Sequence, residues 1–235
     1  MSSNGKGAYE QELAAIYRDS PLFRNLRDTP KLEGKCGLWA QIAAKWATIT
    51  SAGRNEEKAM AIQIGAKPDR GFDDPIGMLK DCHRRIESFL GILCVAVNRA
   101  QGRSLTDEER NAVQAALQYF RTGGQRHTAD EEESLFPRLR KSDAKAFEEI
   151  DRLEHDHREA NDLHGSVERL YSIWIESGGL GSTETQELLS ETARLKKLYS
   201  DHIQVEETVV FTRASQVLDS RAIFAIGTEF RFRRK

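Results

Sequence analysis

Apolar residues recur at three- and four-residue spacing through four long stretches of this chain, the period of an α-helix buried along one face. The first stripe reads Leu79, His83, Ile86, Leu90, Leu93, Val97. The second reads Val113, Leu117, Phe120, Gly124, His127, Glu131, Leu135. The third reads Ile150, Leu153, His157, His164, Val167, Tyr171, Trp174, and the fourth Leu188, Thr192, Leu195, Tyr199, His202, Glu206, Val209. No stretch alternates long enough to predict a sheet. Asp74 followed by Pro75 reads as an N-cap and first helical residue. Thr106 with Glu109, and Thr183 with Gln186, each fit a capping box, and Ser142 with Asp143 can cap a start after Pro137. Breaks fall at 101–104 and 177–181. The pattern predicts helices over 74–101, 106–140, 143–177 and 183–219. Four such helices joined by short turns make an all-α fold, an antiparallel up-down four-helix bundle.

Proline placement agrees. None of the five lies between 76 and 136 or after 137, and an interior proline costs a helix about 3 kcal/mol. The flanks differ in texture. Residues 1–72 hold three prolines and no histidine. They read as an N-terminal extension, partly helical or flexible, with short helices at 10–19 and 39–50 and a linker or loosely docked helix over 51–73. The bundle then spans 73–219. Residues 220–235 form a C-terminal basic segment ending Arg231, Phe232, Arg233, Arg234, Lys235. It reads as a short amphipathic helix or a frayed end, a solvated tail being the plainer reading.

Composition narrows the classes. A chain of 235 residues can bury a core. Thirty-five basic against 37 acidic residues, net −2, exclude a whole-chain footprint for nucleic acid. No apolar run approaches the roughly 18 residues of a membrane span. No charged and then apolar opening suggests a signal peptide. The three cysteines, Cys36, Cys82 and Cys94, form no CxxC pair. The expectation is a soluble, reduced, cytoplasmic protein.

Histidines and glutamates stand on the apolar stripes, where an unpaired carboxylate is expensive to bury and so needs a partner or a metal. HTADEEESLF (127–136) and HIQVEETVVF (202–211) both read His-x3-Glu-Glu-x3-Phe. Residues four apart share a helix face, so His127 with Glu131, and His202 with Glu206, can each aim a nitrogen and an oxygen at one point. His83 precedes His127 by 44 residues and His157 precedes His202 by 45. One hairpin, bearing a His and then His-x3-Glu, is used twice. Measured from their turns, all four histidines fall at nearly one level. A pseudo-two-fold axis would gather four imidazoles and two carboxylates at one centre. That donor set suits a dinuclear iron or manganese site with bridging glutamates; a closed zinc site needs only four ligands. His155 points away and reads as a surface residue. His164 lies too far along the axis to bind the same ion and reads as core. Glu132, Glu133 and Glu207 read as a solvated face; Tyr199, one turn before His202, reads as packing, with a hydrogen bond to a ligand as the alternative. Gly123 and Gly124 would permit a kink or a close approach, and Cys82 and Cys94 read as small core residues.

These segments, with EHDHREANDLH (154–164), resemble the hemerythrin-like cation-binding family from about Asp74 to Ala214. The resemblance implies an up-down four-helix bundle around two non-haem iron ions, bridged by oxo and carboxylate groups. Its ligands here would be His83, His127, Glu131, His157, His202 and Glu206. Oxygen-carrying members use five histidines and two carboxylates; four histidines and two glutamates are placed here, which points away from a dedicated carrier and toward the branches of stress response, iron–sulfur repair or iron sensing. A weaker resemblance joins YRDSPLFRNLRDTPKLEGKCG (17–37) to a C-terminal segment of radical-SAM haem-biosynthesis enzymes. That family carries further cluster cysteines after the first, and only Cys36 stands here. The functional expectation is a di-iron protein that binds or reacts with a small oxidant: oxygen, nitric oxide or peroxide. The alternatives are a di-iron enzyme, a ferroxidase or peroxidase, or an iron-storage or structural metal module. The expected partner is a small diatomic or peroxide ligand, with neither nucleic acid nor membrane, and with the N-terminal extension as a candidate surface for a protein partner.

Overall fold

The structure is a computed structural model that describes residues 69–143 and 146–235. The first helix, α1 (Pro75–Ala100), starts where Asp74 accepts a hydrogen bond from the Gly77 N–H at 2.9 Å, with Pro75 in its first turn. It stops at Gln101, whose φ of 48° is left-handed. The second, α2, runs over residues 107–142, led by the Thr106/Glu109 capping box. The third, α3, is Phe147–Ser177 and ends on Gly178 at φ 74°. The fourth, α4, runs over residues 182–217. Among the described residues there is no strand.

Two expected caps are absent. The helix before Asp143 runs on to Ser142, and α3 starts after Ala146 with no side-chain cap. Helix α4 begins one residue early, after Gly181, so Thr183 sits inside the first turn instead of capping it. A cap is worth about 1 kcal/mol. A fully buried aromatic or leucine contributes about 1.5–3 kcal/mol, and α3 buries Ile150, Leu153, Val167, Leu170, Tyr171 and Trp174. Packing therefore outweighs the missing cap.

Helix α1 packs on α2 and α4, and α3 packs on α2 and α4, so the four close a ring. The connections are short, which sets neighbours antiparallel. One apolar layer holds Leu79, Leu135, Phe136, Leu139, Ile150, Leu153, Val210 and Phe211. The far end is closed by Leu93, Val97, Tyr171, Trp174 and Leu188. There Tyr171 donates to the Leu93 carbonyl at 2.6 Å and Trp174 to the Arg103 carbonyl at 2.8 Å. His83 follows Leu79 and precedes Leu93 along α1, which puts the polar level between two apolar ones.

The helices are not uniformly α. Three π turns interrupt them: Phe120–Gly124 and Glu131–Leu135 in α2, and Glu206–Val210 in α4. The last two begin on the stripe glutamates. In each, the amide five residues on, Phe136 or Phe211, bonds the glutamate carbonyl. A π turn holds one surplus residue, so the face beyond it slips by one position. Phe136 and Phe211, five residues after Glu131 and Glu206 and off the stripe by a plain α count, are therefore buried, whereas Val209 is half-buried. Pro137 falls just after the slip in α2, where the ladder is already rearranged.

The C-terminal segment is not a solvated tail. After Leu218, Asp219 caps a fifth helix, α5 (Ser220–Phe232), accepting from the Ala222 N–H at 2.8 Å. Ile226 and Phe230 are fully buried in the core layer. At Gly227 the helix lies against the backbone: a Cβ there would sit 1.8 Å from the Phe72 carbonyl oxygen. Gly227→Ala should push α5 off this contact and lower stability by about 1–3 kcal/mol, the range for overpacking. Gly165 has nothing within 4 Å, so Gly165→Ala should raise stability by about 0.5–1 kcal/mol. Urea unfolding of the two variants checks both signs. No helix among the described residues is long and apolar enough to cross a membrane. The expectations for 1–72 lie outside the described residues up to 68.

Candidate metal centre

All six stripe residues meet at one level. His83 comes from α1, His127 and Glu131 from α2, His157 from α3, and His202 and Glu206 from α4. They form two overlapping groups, His83, His127, Glu131, Glu206 and Glu131, His157, His202, Glu206, each with its ligand-type atoms within 4.8 Å of one another. Both glutamates belong to both groups. Glu131 Oε1 lies 3.4 Å from His127 Nε2 and 4.0 Å from His83 Nε2, while its Oε2 lies 3.4 Å from His157 Nε2. Glu206 Oε2 lies 3.0 Å from His83 Nε2 and 3.3 Å from His202 Nε2. The i, i+4 spacing thus brings each His-x3-Glu pair together within its helix, as the sequence predicts.

The donor set fits a pair of cations. Both carboxylate oxygens of Glu131 and of Glu206 are buried without a hydrogen bond, as are Nε2 of His83, His157 and His202. Two such carboxylates are costly to bury unless positive charge joins them. Two cations sharing the glutamates would each receive two imidazole nitrogens and two carboxylate oxygens. Iron or manganese takes such mixed nitrogen and oxygen sets.

Carboxylates stand behind three of the rings. His83 Nδ1 donates to Glu207 Oε1 at 2.8 Å, and His157 Nδ1 to Glu132 Oε1 at 2.8 Å. His202 Nδ1 lies 3.4 Å from Asp156 Oδ2. This corrects the reading of Glu132 and Glu207 as a merely solvated face: each reaches across to the neighbouring hairpin and fixes a ring. Their repetition, one place after each stripe glutamate, was a signal in the sequence. Asp156 had none beyond adjacency to His157. Glu133 does face solvent, at 65% exposure, and pairs with Arg233. Phe211 stacks on His83 with centroids 5.4 Å apart, and Phe136 on His157 at 6.2 Å.

The remaining histidines stand outside both groups. His155 is exposed, and His164 is half-buried, sharing a 3.0 Å hydrogen bond with the Tyr199 hydroxyl. Tyr199 therefore does more than pack. Phe120, in the first π turn, lies 4.4 Å from the His164 ring, and the Gly123–Gly124 pair falls in that turn.

Charge is shared unevenly. Burial pulls His83 down, but Glu206, Glu207 and Glu131 outweigh it and hold the ring at about 9. His202 is likewise pulled down by burial and raised to about 9 by Glu206 and Asp156. Burial, with the charge on His83, keeps His127 neutral. Glu206 stays ionised against burial because His202 and His83 face it, and burial together with Glu206 drives Glu131 to hold a proton. A cation must displace these protons. The raised histidines stabilise the metal-free fold fully below about pH 6.5, their unfolded value. That contribution is lost as pH rises through about 9. Metal affinity runs the other way, rising over the same interval. Thermal unfolding from pH 6.5 to 9 should give a falling Tm without metal and a rising one with excess Mn(II); parallel curves would refute the assignment of these protons.

Residues 74–214 match the family model described as the Hemerythrin HHE cation binding domain. No curated protein matches the chain. The match does not reach 17–37, and that weaker resemblance lies outside the described residues.

Proposed function

Because this chain belongs to the hemerythrin HHE cation-binding family, we propose that it is a non-haem di-iron protein that binds or reacts with a small oxidant, namely oxygen, nitric oxide or peroxide. The observation that carries the reading is the sharing of Glu131 and Glu206 by two His/Glu groups. With four protein donors each, two bound ions would keep positions free for a small ligand, and iron there would supply one-electron chemistry. A fifth histidine in the centre would close one of those positions, and the two histidines outside it are committed elsewhere or exposed.

The protein's own groups have defined tasks. His83, His127, His157 and His202 would hold the ions through imidazole nitrogens, and Glu131 and Glu206, which belong to both groups, would be shared between them. Glu132, Glu207 and Asp156 hold three rings in orientation and make them better donors. Phe136 and Phe211 close the centre from one side and exclude water there. The cell role consistent with this chemistry is stress response, sensing or iron handling.

The test is iron content and absorption of protein purified in air without chelators. About two irons per chain, with charge-transfer absorption in the near ultraviolet, is the expected result. Nitric oxide or peroxide should then change the spectrum of the reduced protein within a single turnover. One zinc, or no metal in a folded bundle, overturns the reading. Many turnovers with a defined reductant would place the protein among the ferroxidases or peroxidases instead.

A further inference from the structure

The two hairpins correspond residue for residue, at a separation of 74 between α1 and α3 and 75 between α2 and α4. His83 matches His157, His127 matches His202, Glu131 matches Glu206, Glu132 matches Glu207, and Phe136 matches Phe211. Their contacts repeat as well. Glu207 backs His83 as Glu132 backs His157, and Phe211 stacks on His83 as Phe136 does on His157.

The correspondence fails behind one ring. Asp156, beside His157, places a carboxylate oxygen 3.4 Å from His202 Nδ1. Its counterpart beside His83 is Cys82. Nδ1 of His127 is accordingly buried with no partner. The Cys82 sulfur instead accepts a hydrogen bond from Arg85 at 3.1 Å. One half therefore has two rings backed by carboxylates. The other has one backed ring, one unbacked ring and a guanidinium nearby. A carboxylate behind an imidazole raises its basicity, fixes its orientation and adds negative charge near the cation.

We propose that the two metal positions are unequal: the His157/His202 position fills first and retains its ion, and the His83/His127 position is the exchangeable one, with Asp156 against Cys82 setting the difference. This rests on the di-metal reading above. Outer carboxylates of this kind change metal affinity by about 10–100-fold, and the two binding steps should be separated by that factor.

The experiment titrates the full-length, metal-free protein with Co(II), read by visible absorption and by cobalt retained after a brief chelator challenge. Two resolved steps are expected, with one cobalt surviving the challenge. Asp156→Asn should weaken the first step toward the second. Cys82→Asp, if it folds, should tighten the second toward the first. Two equal steps in the unaltered protein, or a first step unmoved by Asp156→Asn, overturn the proposal while leaving a di-metal centre. Folded protein that takes up no cobalt overturns both.

Discussion

Glu206→Gln is expected to empty both metal positions at once, taking bound metal from about two ions per chain to well below one. Glu206 belongs to both His/Glu groups, and its buried carboxylate faces histidines of those groups. The amide is the same size but carries no charge, so each cation loses an anionic donor and the centre loses half its negative charge. His127→Ala gives the contrast. His127 belongs to one group only, so about one ion per chain should remain. The glutamine variant should also disturb the metal-free protein, because Glu206 leads the carboxylates that hold His83 and His202 at about 9. Metal analysis beside a histidine titration separates the two effects. Loss of a single ion in Glu206→Gln would show that it does not bridge.

The second large effect involves no proposed metal ligand, although Asp130 directly precedes Glu131. Asp130 is 0% exposed, and its two oxygens are held by Arg233 Nη1 at 2.9 Å and Arg234 Nη2 at 2.5 Å from the end of α5. Arg233 also donates to Ser134 at 2.7 Å. Removing both arginines leaves a buried carboxylate with no counter-charge, which costs about 3–5 kcal/mol. Arg233→Ala with Arg234→Ala should lower stability by that amount, as read by urea unfolding. The corresponding position on the other hairpin is Val205. Adding Asp130→Val to the double variant should recover most of the loss, since apolar replacement of a whole buried ion pair is often neutral. A double variant as stable as the parent would mean that α5 docks without the Asp130 pairs, through Ile226, Phe230 and the Arg138–Glu229 ion pair.

The main lines of the fold were legible because each helix carries an apolar stripe whose acidic residues, Glu131 and Glu206, stand only at the centre. The six central residues were legible for the same reason. A histidine and a glutamate four apart on a buried face each need a partner there, and a shared cation satisfies both. What escaped the sequence depends on distance. The π turns at Glu131 and Glu206 are one-residue slips of the backbone ladder, whose trace is a buried phenylalanine five residues after each glutamate, Phe136 and Phe211. Glu132 and Glu207 each pair with a ring on another helix, 25 and 124 residues away. Helical periodicity along one element carries no information about such a partner. Arg233 and Arg234 looked like a solvated basic end because Asp130, which they hold, lies 103 and 104 residues upstream.

The crossed carboxylates bear on assembly. Glu132 backs a ring of the second hairpin and Glu207 a ring of the first, which is the reciprocal i-to-j, j-to-i pattern of an isologous dimer. A free hairpin with one such sequence would hold only half a centre, and two identical copies would complete it at a concentration cost. Tethering the copies in one chain replaces that cost with an effective concentration fixed by the connection between α2 and α3. It also releases the halves from identity. A symmetric pair must change both copies together, whereas a tethered pair can place an aspartate on one side and a cysteine on the other.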